Sequence, residues 1–235
     1  MKRIDAAVIA AVLLVRALNR GAEREELFLE GSLMMVTAFI VFNKVGSPQF
    51  IIWLAPVIIA VPVLWATRHR FPLTPLAYRL IFVHAVILMV GGHYTYARVP
   101  LGFWAQELFG FARNHYDRIG HLAQGFSPAI VAREILIRTS PLRGGRWLPV
   151  VVTSICLAIS AFYEFIEWWA ALLGGSAATD FLGTQGDVWD TQWDMFLCLL
   201  GAICAQVVLG RVHDAAFERL VDLAARDRLG EDAEA

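Results

Sequence analysis

Charge is scarce in this chain. Charged residues make up 17% of its 235 residues and hydrophobic residues make up 58%, and the mean hydropathy is +0.58. A soluble globular domain of this length carries more charge and fewer apolar residues. The scarcity of charge therefore excludes an ordinary soluble domain and predicts an integral membrane protein.

The chain also lacks an excess of positive charge and a set of paired cysteines. Its 20 Lys and Arg residues nearly balance its 21 Asp and Glu residues, and no basic stretch is interleaved with aromatic side chains. This balance argues against a nucleic-acid partner. Cys156, Cys198 and Cys204 all lie within apolar runs, where a thiol behaves as a small hydrophobic side chain and not as a zinc ligand.

Six apolar runs are long enough to cross a membrane, which takes about 20 residues of helix. They are residues 27–43, 49–66, 76–92, 119–137, 147–173 and 190–211. A shorter run, residues 4–18, is interrupted by Asp5 and is followed by no small-residue cleavage site, which favours a retained helix over a signal peptide. We predict an all-α, polytopic transmembrane helix bundle with six core helices and an extra N-terminal helix.

The predicted organisation is one membrane domain between two ends. Residues 1–25 form an N-terminal anchor or interfacial helix, residues 26–212 form the transmembrane helical bundle, and residues 213–235 form a polar C-terminal tail. Arginines in the 67–75 and 138–146 loops favour a cytoplasmic side for those loops and for the C-terminus, because short cytoplasmic loops are rich in Lys and Arg. The three arginines of the 93–118 loop weaken this topology without reversing it.

Polar side chains enter three of the runs from the predicted outer side. They repeat at helical spacing, so each set shares one face of its helix. The segments are "RNHYDRIGHLAQGF" with Asp117, His121 and Gln124, "SAFYEFIEWW" with Ser160, Glu164 and Glu167, and "GDVWDTQWDM" with Asp187, Asp190 and Asp194. Because ionisable groups at membrane depth cost several kcal/mol unless they are paired or hydrated, we expect the three faces to meet in one site.

This mixture of carboxylates and imidazoles favours a divalent metal, with Mn, Zn or Mg as candidates. We assign the general base to Glu164 and the ligands to Asp117, His121, Glu167, Asp190 and Asp194. The supporting residues are His93, His115, Arg118, Gln124 and Asp187, and the available cationic partners are Arg98, Arg113 and Arg118. A metal with a carboxylate base suits a hydrolase or transferase acting on a lipid-linked or phosphate-bearing substrate that enters from the outer leaflet.

Two other functions remain open. The acidic site suits a cation or proton transporter, although the mostly apolar residues deeper in the helices and the absence of an internal repeat count against it. A structural or partner-binding membrane module is the second alternative, with the polar residues fixing loops to helices. Away from the site, Arg133, Glu134 and Arg138 are interpreted as an interfacial cluster with snorkelling arginines, and the histidines His69, His84 and His213 as packing or interface residues.

Four segments carry a resemblance to a known family. The residues "GGHYTYARVPLGFW", "RNHYDRIGHLAQGF", "AFYEFIEWW" and "LGTQGDVWDTQWDM" resemble the YjdF family of bacterial inner-membrane proteins over roughly residues 50–212. The resemblance implies a multi-pass inner-membrane location and six core helices, and it brings no activity or ligand. The chain is also similar, more faintly, to VanZ-like membrane proteins, in which an Asp-x-x-x-His pattern at a helix start precedes an acidic helix and a later Asp.

Overall fold

A computed structural model of the chain describes residues 59–60, 62–174 and 185–234. The predicted helices over residues 4–18 and 27–43, and most of the run over 49–66, lie outside these described residues. Within the described part, residues 62–67 are helical. Five further helices follow, which are α1 (Pro75–Tyr94), α2 (Pro100–Phe109), α3 (Tyr116–Thr139), α4 (Trp147–Gly174) and α5 (Asp190–Glu234). The described chain holds no strand, and the predicted all-α class is confirmed.

Two elements differ from the sequence expectation. Helix α2 occupies residues that we predicted as part of a loop, since its ten residues are too few to produce an apolar run of membrane length. Its side chains Phe103, Trp104 and Phe109 are exposed, as expected of a short interfacial helix. Helix α5 continues past Arg211 through the predicted start of the tail, and Phe217 is buried in the core.

Local sequence signals explain where α1 and α3 begin. At α1, Pro75 occupies the first helical position, where its missing N–H costs nothing, and Thr74 Oγ1 accepts a hydrogen bond from the Ala77 N–H at 3.3 Å. At α3, Asn114 Oδ1 accepts a hydrogen bond from the Tyr116 N–H at 3.0 Å. Each helix start therefore receives a side-chain acceptor for one of its unpaired backbone donors.

Three helices are long and apolar enough to cross a membrane, namely Pro75–Tyr94, Trp147–Leu172 and Asp190–Leu223. Helix α3 has 24 residues, which makes it about 36 Å long and also sufficient to cross. It is more polar than the other three because it packs against all of them, α1, α4 and α5. The outer helices present apolar side chains outward, such as Phe165 and Trp168 of α4, while the central helix carries buried polar side chains such as His121 and Glu134.

Helices α3 and α5 approach each other through glycine. A Cβ atom at Gly125 would collide with the backbone of Cys198, and one at Gly201 would collide with the backbone carbonyl of Leu122. Small residues of this kind allow the backbones of membrane helices to pack closely. The crossing lies in an apolar core that includes Ile130, and it sets the position of α5 along the polar face of α3.

The far end of α3 holds a buried polar network around Glu134, which the interpretation of Arg133, Glu134 and Arg138 as an interfacial cluster did not include. The Glu134 side chain is 0% exposed. Its carboxylate accepts hydrogen bonds from the Thr74 N–H at 2.9 Å and the Thr74 hydroxyl at 2.7 Å. Arg138 Nη1 lies 3.3 Å away, and His213 Nε2 lies 3.1 Å away. These contacts join the start of α1 to α3 and α5, so the network fixes three helices together.

The network also determines the tautomer of His213. Arg133 Nη1 lies 2.7 Å from His213 Nδ1, and a guanidinium can only donate a hydrogen bond. His213 Nδ1 is therefore the acceptor, and Nε2 carries the proton that it donates to Glu134. His213 was interpreted as a packing residue, and this pairing gives it a specific hydrogen-bonding role as well.

Candidate functional site

Three side chains converge where α3 enters the bundle. Asp117 and His121 share one face of α3, as their i, i+4 spacing predicts, and Asp194 faces them from α5. His121 Nε2 lies 3.7 Å from Asp117 Oδ1 and 3.7 Å from Asp194 Oδ2. The three donor atoms all lie within 4.8 Å of one another. The structure therefore brings together three of the five predicted metal ligands.

Several polar atoms of this group are buried without a partner. His121 is 8% exposed and Asp194 is 4% exposed. His121 Nδ1, Asp194 Oδ1 and Glu164 Oε1 find no hydrogen-bond partner among the residues that the structure describes. Buried polar atoms in folded proteins are nearly always satisfied, and each exception asks for an explanation such as an ion or a ligand. The 3.7 Å separations around His121 Nε2 are also too long for hydrogen bonds.

Asp187 and Asp190 differ from the three converging side chains because their carboxylates form ion pairs with arginines. Arg113 donates a hydrogen bond to Asp190 and lies 3.9 Å from Asp187. Arg118 Nη2 lies 2.8 Å from Asp187 Oδ2. Both arginines were predicted as partners for the carboxylates, whereas the third, Arg98, is exposed. Asp190, which we predicted as a ligand, therefore forms an ion pair beside the three-residue group.

A cavity of about 190 Å³ lies between α1, α3 and α4, directly beside this group. Asp117, His121, Gln124 and Glu167 form its polar part. Its apolar lining includes Leu88, Pro128 and Ile159. Glu164 is not among the residues that line this cavity, although it shares a helix face with Glu167. The two glutamates of α4 thus have separate surroundings, one facing the cavity and the other buried against the start of α5.

His84 also lines this cavity, and our placement of it away from the site is wrong. Its Nε2 is buried and has no hydrogen-bond partner within the described ranges. No periodic pattern indicated it, since His84 is the single polar side chain in the middle of an apolar run. Only the packing of α1 against α3 shows that it faces the same space as His121.

Two predicted supporting histidines lie at the edge of the site. His93 is exposed and packs edge-on against Tyr94, with ring centroids 4.6 Å apart. His115 packs edge-on against Phe111 at 4.9 Å. Burial lowers the pKa of His115 below its ordinary value, and the nearby Arg118 and Arg113 guanidinium groups lower it further. The lowered pKa favours the neutral form of the His115 ring beside the acidic cluster.

Tyr96 closes the cavity on the side of the α1–α2 turn. It lines the cavity and is 7% exposed, and its ring lies 6.1 Å from the ring of Tyr116. Burial raises the pKa of Tyr96 well above its ordinary value, and the negative charge of Asp117 raises it further. Its hydroxyl therefore stays protonated, and it can act as a hydrogen-bond donor at the edge of the cavity.

Asn114 supports the site and was not assigned a role from the sequence. It is 1% exposed, and its Nδ2 donates a hydrogen bond to the Val99 carbonyl at 3.0 Å. Its backbone carbonyl accepts a hydrogen bond from Gln185 Nε2 at 2.9 Å. The asparagine thus connects α2, the start of α3 and the segment before α5, which positions Arg113 and Asp117. An Asn just before a polar helix start was the available signal, as a helix-capping residue.

Comparisons with known proteins are consistent with this architecture. A family model described as "Predicted membrane protein (DUF2238)" matches residues 25–215. The inner membrane protein YjdF of Escherichia coli (strain K12) is 53% identical over 190 residues, covering 80% of this chain and 91% of that protein. No solved structure matches the chain. The predicted resemblance to the YjdF family is confirmed, while the fainter similarity to VanZ-like proteins is not shown by these comparisons and stays a prediction.

Proposed function

This chain belongs to the DUF2238 family of membrane proteins, and we propose that Asp117, His121 and Asp194 bind a divalent metal ion. The convergence of two carboxylates and one imidazole is the observation that supports the proposal. Donors bound at about 2.0–2.2 Å to one ion lie up to about 4.4 Å apart. The three donor atoms here lie within 4.8 Å of one another, so small side-chain rotations suffice to bring them to binding distance. Mixed oxygen and nitrogen donors suit Mn or Zn, and Mg is the third candidate.

The cavity beside the group suits a substrate with a polar head and an apolar part. Its polar end adjoins the proposed metal ligands, and its wall of Leu88, Pro128 and Ile159 is apolar. A divalent ion polarises a phosphoryl or carbonyl oxygen as a Lewis acid. We therefore propose hydrolysis or transfer at a phosphate or ester of a lipid-linked substrate. Glu167 lines the cavity, and we assign it the role of general base in place of Glu164.

The proposed location is the bacterial inner membrane, with the metal group toward the outer side and the C-terminus in the cytoplasm. The family relative that is named an inner membrane protein supports the location. The arginines Arg138, Arg143 and Arg146 in the loop after α3 support the orientation, because cytoplasmic loops are rich in Lys and Arg. The described residues just before α5, 185–189, contain no Lys or Arg, as expected of the opposite side.

The metal content of the purified full-length protein tests this proposal. Wild type prepared without chelator should carry about one divalent ion per chain, as expected of a single three-ligand site, and the double variant His121→Ala/Asp194→Asn should carry none. Inductively coupled plasma mass spectrometry measures both. Asp187→Asn is the matched control, since it removes a carboxylate on the same side that is paired with Arg118. Equal metal content in the double variant and in the wild type would refute the site.

A transporter is less well supported by the packing. Between the two polar ends of α3 lies a buried, mainly apolar core that includes Ile130, Val152, Cys156 and Ala202. A conducting path needs polar groups or water along its length. If the wild type binds no ion even after reloading with Mn, Zn or Mg, the proton-binding and structural alternatives become the better explanations.

A further inference from the structure

A groove of about 560 Å³ lies at the opposite end of the bundle from the candidate metal group. This volume falls in the range of about 300–1,000 Å³ that is usual for ligand sites. The ends of α3 and α4 and the middle of α5 form its walls. Arg211, which lines it, is 21 residues beyond Asp190 on α5, a distance of about 32 Å and thus about one hydrocarbon thickness. The groove therefore lies at the other boundary of the membrane.

The charges in the groove are only partly balanced. Arg133 lies 2.8 Å from Asp214, so these two lining residues neutralise each other. Two further arginines, Arg143 and Arg211, line the groove and are exposed, and Glu218 is the remaining acidic residue in the lining. In the part of the chain that the structure describes, no salt bridge engages Arg143 or Arg211. One net positive charge remains, with two guanidinium groups able to bind a phosphate.

On α5, the lining of the groove changes from charged at Arg211 to apolar at Val207, one turn nearer the membrane interior. Leu148 and Ile137 are among its buried walls, and Val207 is 78% exposed beside them. An exposed valine one turn before Arg211 belongs at lipid depth, whereas the arginines belong at the headgroup level. A molecule that fits this gradient has an anionic head and an acyl chain.

We propose that this groove binds the headgroup of an anionic phospholipid in the leaflet on the arginine-rich side. Arg143 and Arg211 contact the phosphate, and the Val207 side of the groove contacts the first part of an acyl chain. Basic pockets between membrane helices on the cytoplasmic side recognise anionic headgroups in this way. The proposal uses a different part of the molecule from the metal group and stands or fails independently of it.

Lipid retention measured by native mass spectrometry tests the proposal. The full-length protein in detergent is titrated with dioleoyl-phosphatidylglycerol, and the fraction that retains lipid gives an apparent affinity. The double variant Arg143→Gln/Arg211→Gln should bind about fivefold more weakly for each arginine removed. The double variant Arg146→Gln/Arg219→Gln changes the net charge equally through two exposed arginines that do not line the groove, and it should bind as the wild type does.

Two further titrations distinguish the source of the phosphate and the role of charge. Dioleoyl-phosphatidylcholine should be retained poorly, and inorganic phosphate should not compete at millimolar concentration, because neither combines net negative charge with an acyl chain. Equal losses of lipid retention in the two double variants would refute binding in the groove and would indicate attraction by the general surface charge. Competition by inorganic phosphate alone would show that the groove binds free phosphate and not a phospholipid. Arg143→Lys/Arg211→Lys keeps the charge and should restore most of the retention, which separates misfolding from loss of binding.

Discussion

The two ends of α3 bury ionisable side chains in opposite ways. At the end near the 138–146 loop, Glu134 is fully buried and every polar neighbour donates to it, from Thr74, Arg138 and His213. At the other end, His121 and Asp194 are almost as buried, yet each keeps a polar atom without a hydrogen-bond partner in the described chain. The first arrangement is complete within the described residues, and the second leaves the His121 Nδ1 and Asp194 Oδ1 atoms without a partner there.

This difference separates a structural network from a candidate binding site. A buried charge is tolerated when its pairing and hydrogen bonds are complete, and a partly satisfied group costs free energy in the free protein. The composition of the two clusters does not distinguish them, since both contain carboxylate, imidazole and arginine side chains. The two clusters therefore differ in the completeness of their hydrogen bonding within the described residues, and not in their residue types.

The largest expected effect comes from breaking the complete network. Glu134→Ala should lower the free energy of unfolding by about 3–5 kcal/mol, because removal of the carboxylate leaves the Thr74 N–H and His213 Nε2 buried without their acceptor. Denaturant unfolding in detergent, followed by circular dichroism, measures the change. Glu218→Ala removes an exposed carboxylate from α5 and should change stability by less than about 0.5 kcal/mol. Similar losses for both variants would show that the network does not hold the helices together.

An intermediate effect is expected where α3 crosses α5 between the two clusters. Gly201→Val should cost about 1–3 kcal/mol, because the added side chain meets the Leu122 carbonyl and forces the helices apart. The displacement should also weaken metal binding, since Asp194 lies on α5 and the other two ligands lie on α3. Gly210→Val is the matched control, because a Cβ atom at that position meets nothing within 4 Å. Unchanged metal content in Gly201→Val would show that the crossing does not position the ligands.

The smallest effect on stability should come from the incomplete cluster. With chelator present, Asp194→Asn should change the free energy of unfolding by less than about 1 kcal/mol, because Asp194 Oδ1 has no hydrogen bond within the described residues to lose. With metal at one hundred times its dissociation constant, the wild type should gain about 2.7 kcal/mol and the variant should gain nothing. Thermal unfolding with and without metal checks both expectations. A large loss in chelator would assign this cluster a structural role like that of Glu134.

Helix positions were predictable because membrane spans are read from local composition. The run 76–92 is contained in Pro75–Tyr94, and 147–173 in Trp147–Gly174. The start of α3 and the shared face of Asp117 and His121 followed from helical spacing. Helix α2 was missed because ten residues do not form a span, and the length of α5 was missed because its polar end lacks an apolar run.

The contacts between side chains of different helices were not predictable from local composition. The sequence identified Arg113 and Arg118 as available cations but did not reveal which carboxylate each would bind. Asp190 was predicted as a ligand and lies in an ion pair, while His84 was placed elsewhere and faces the cavity. Neither placement follows from local sequence, because the rotation of one helix about its axis relative to its neighbours depends on contacts such as the Gly125 and Gly201 crossing.

By itself, the sequence determined that this protein is a helical membrane bundle with polar faces on three helices, because bilayer thickness and helical periodicity act on neighbouring residues. The tertiary structure decided which polar groups are satisfied. Glu134 gained its donors from Thr74 and His213, which are 60 and 79 positions away in the chain. Asp117, His121 and Asp194 were brought together with His121 Nδ1 and Asp194 Oδ1 lacking a partner among the described residues. Hydrogen bonds need specific distances and directions across helices, and only the packed arrangement of helices fixes those.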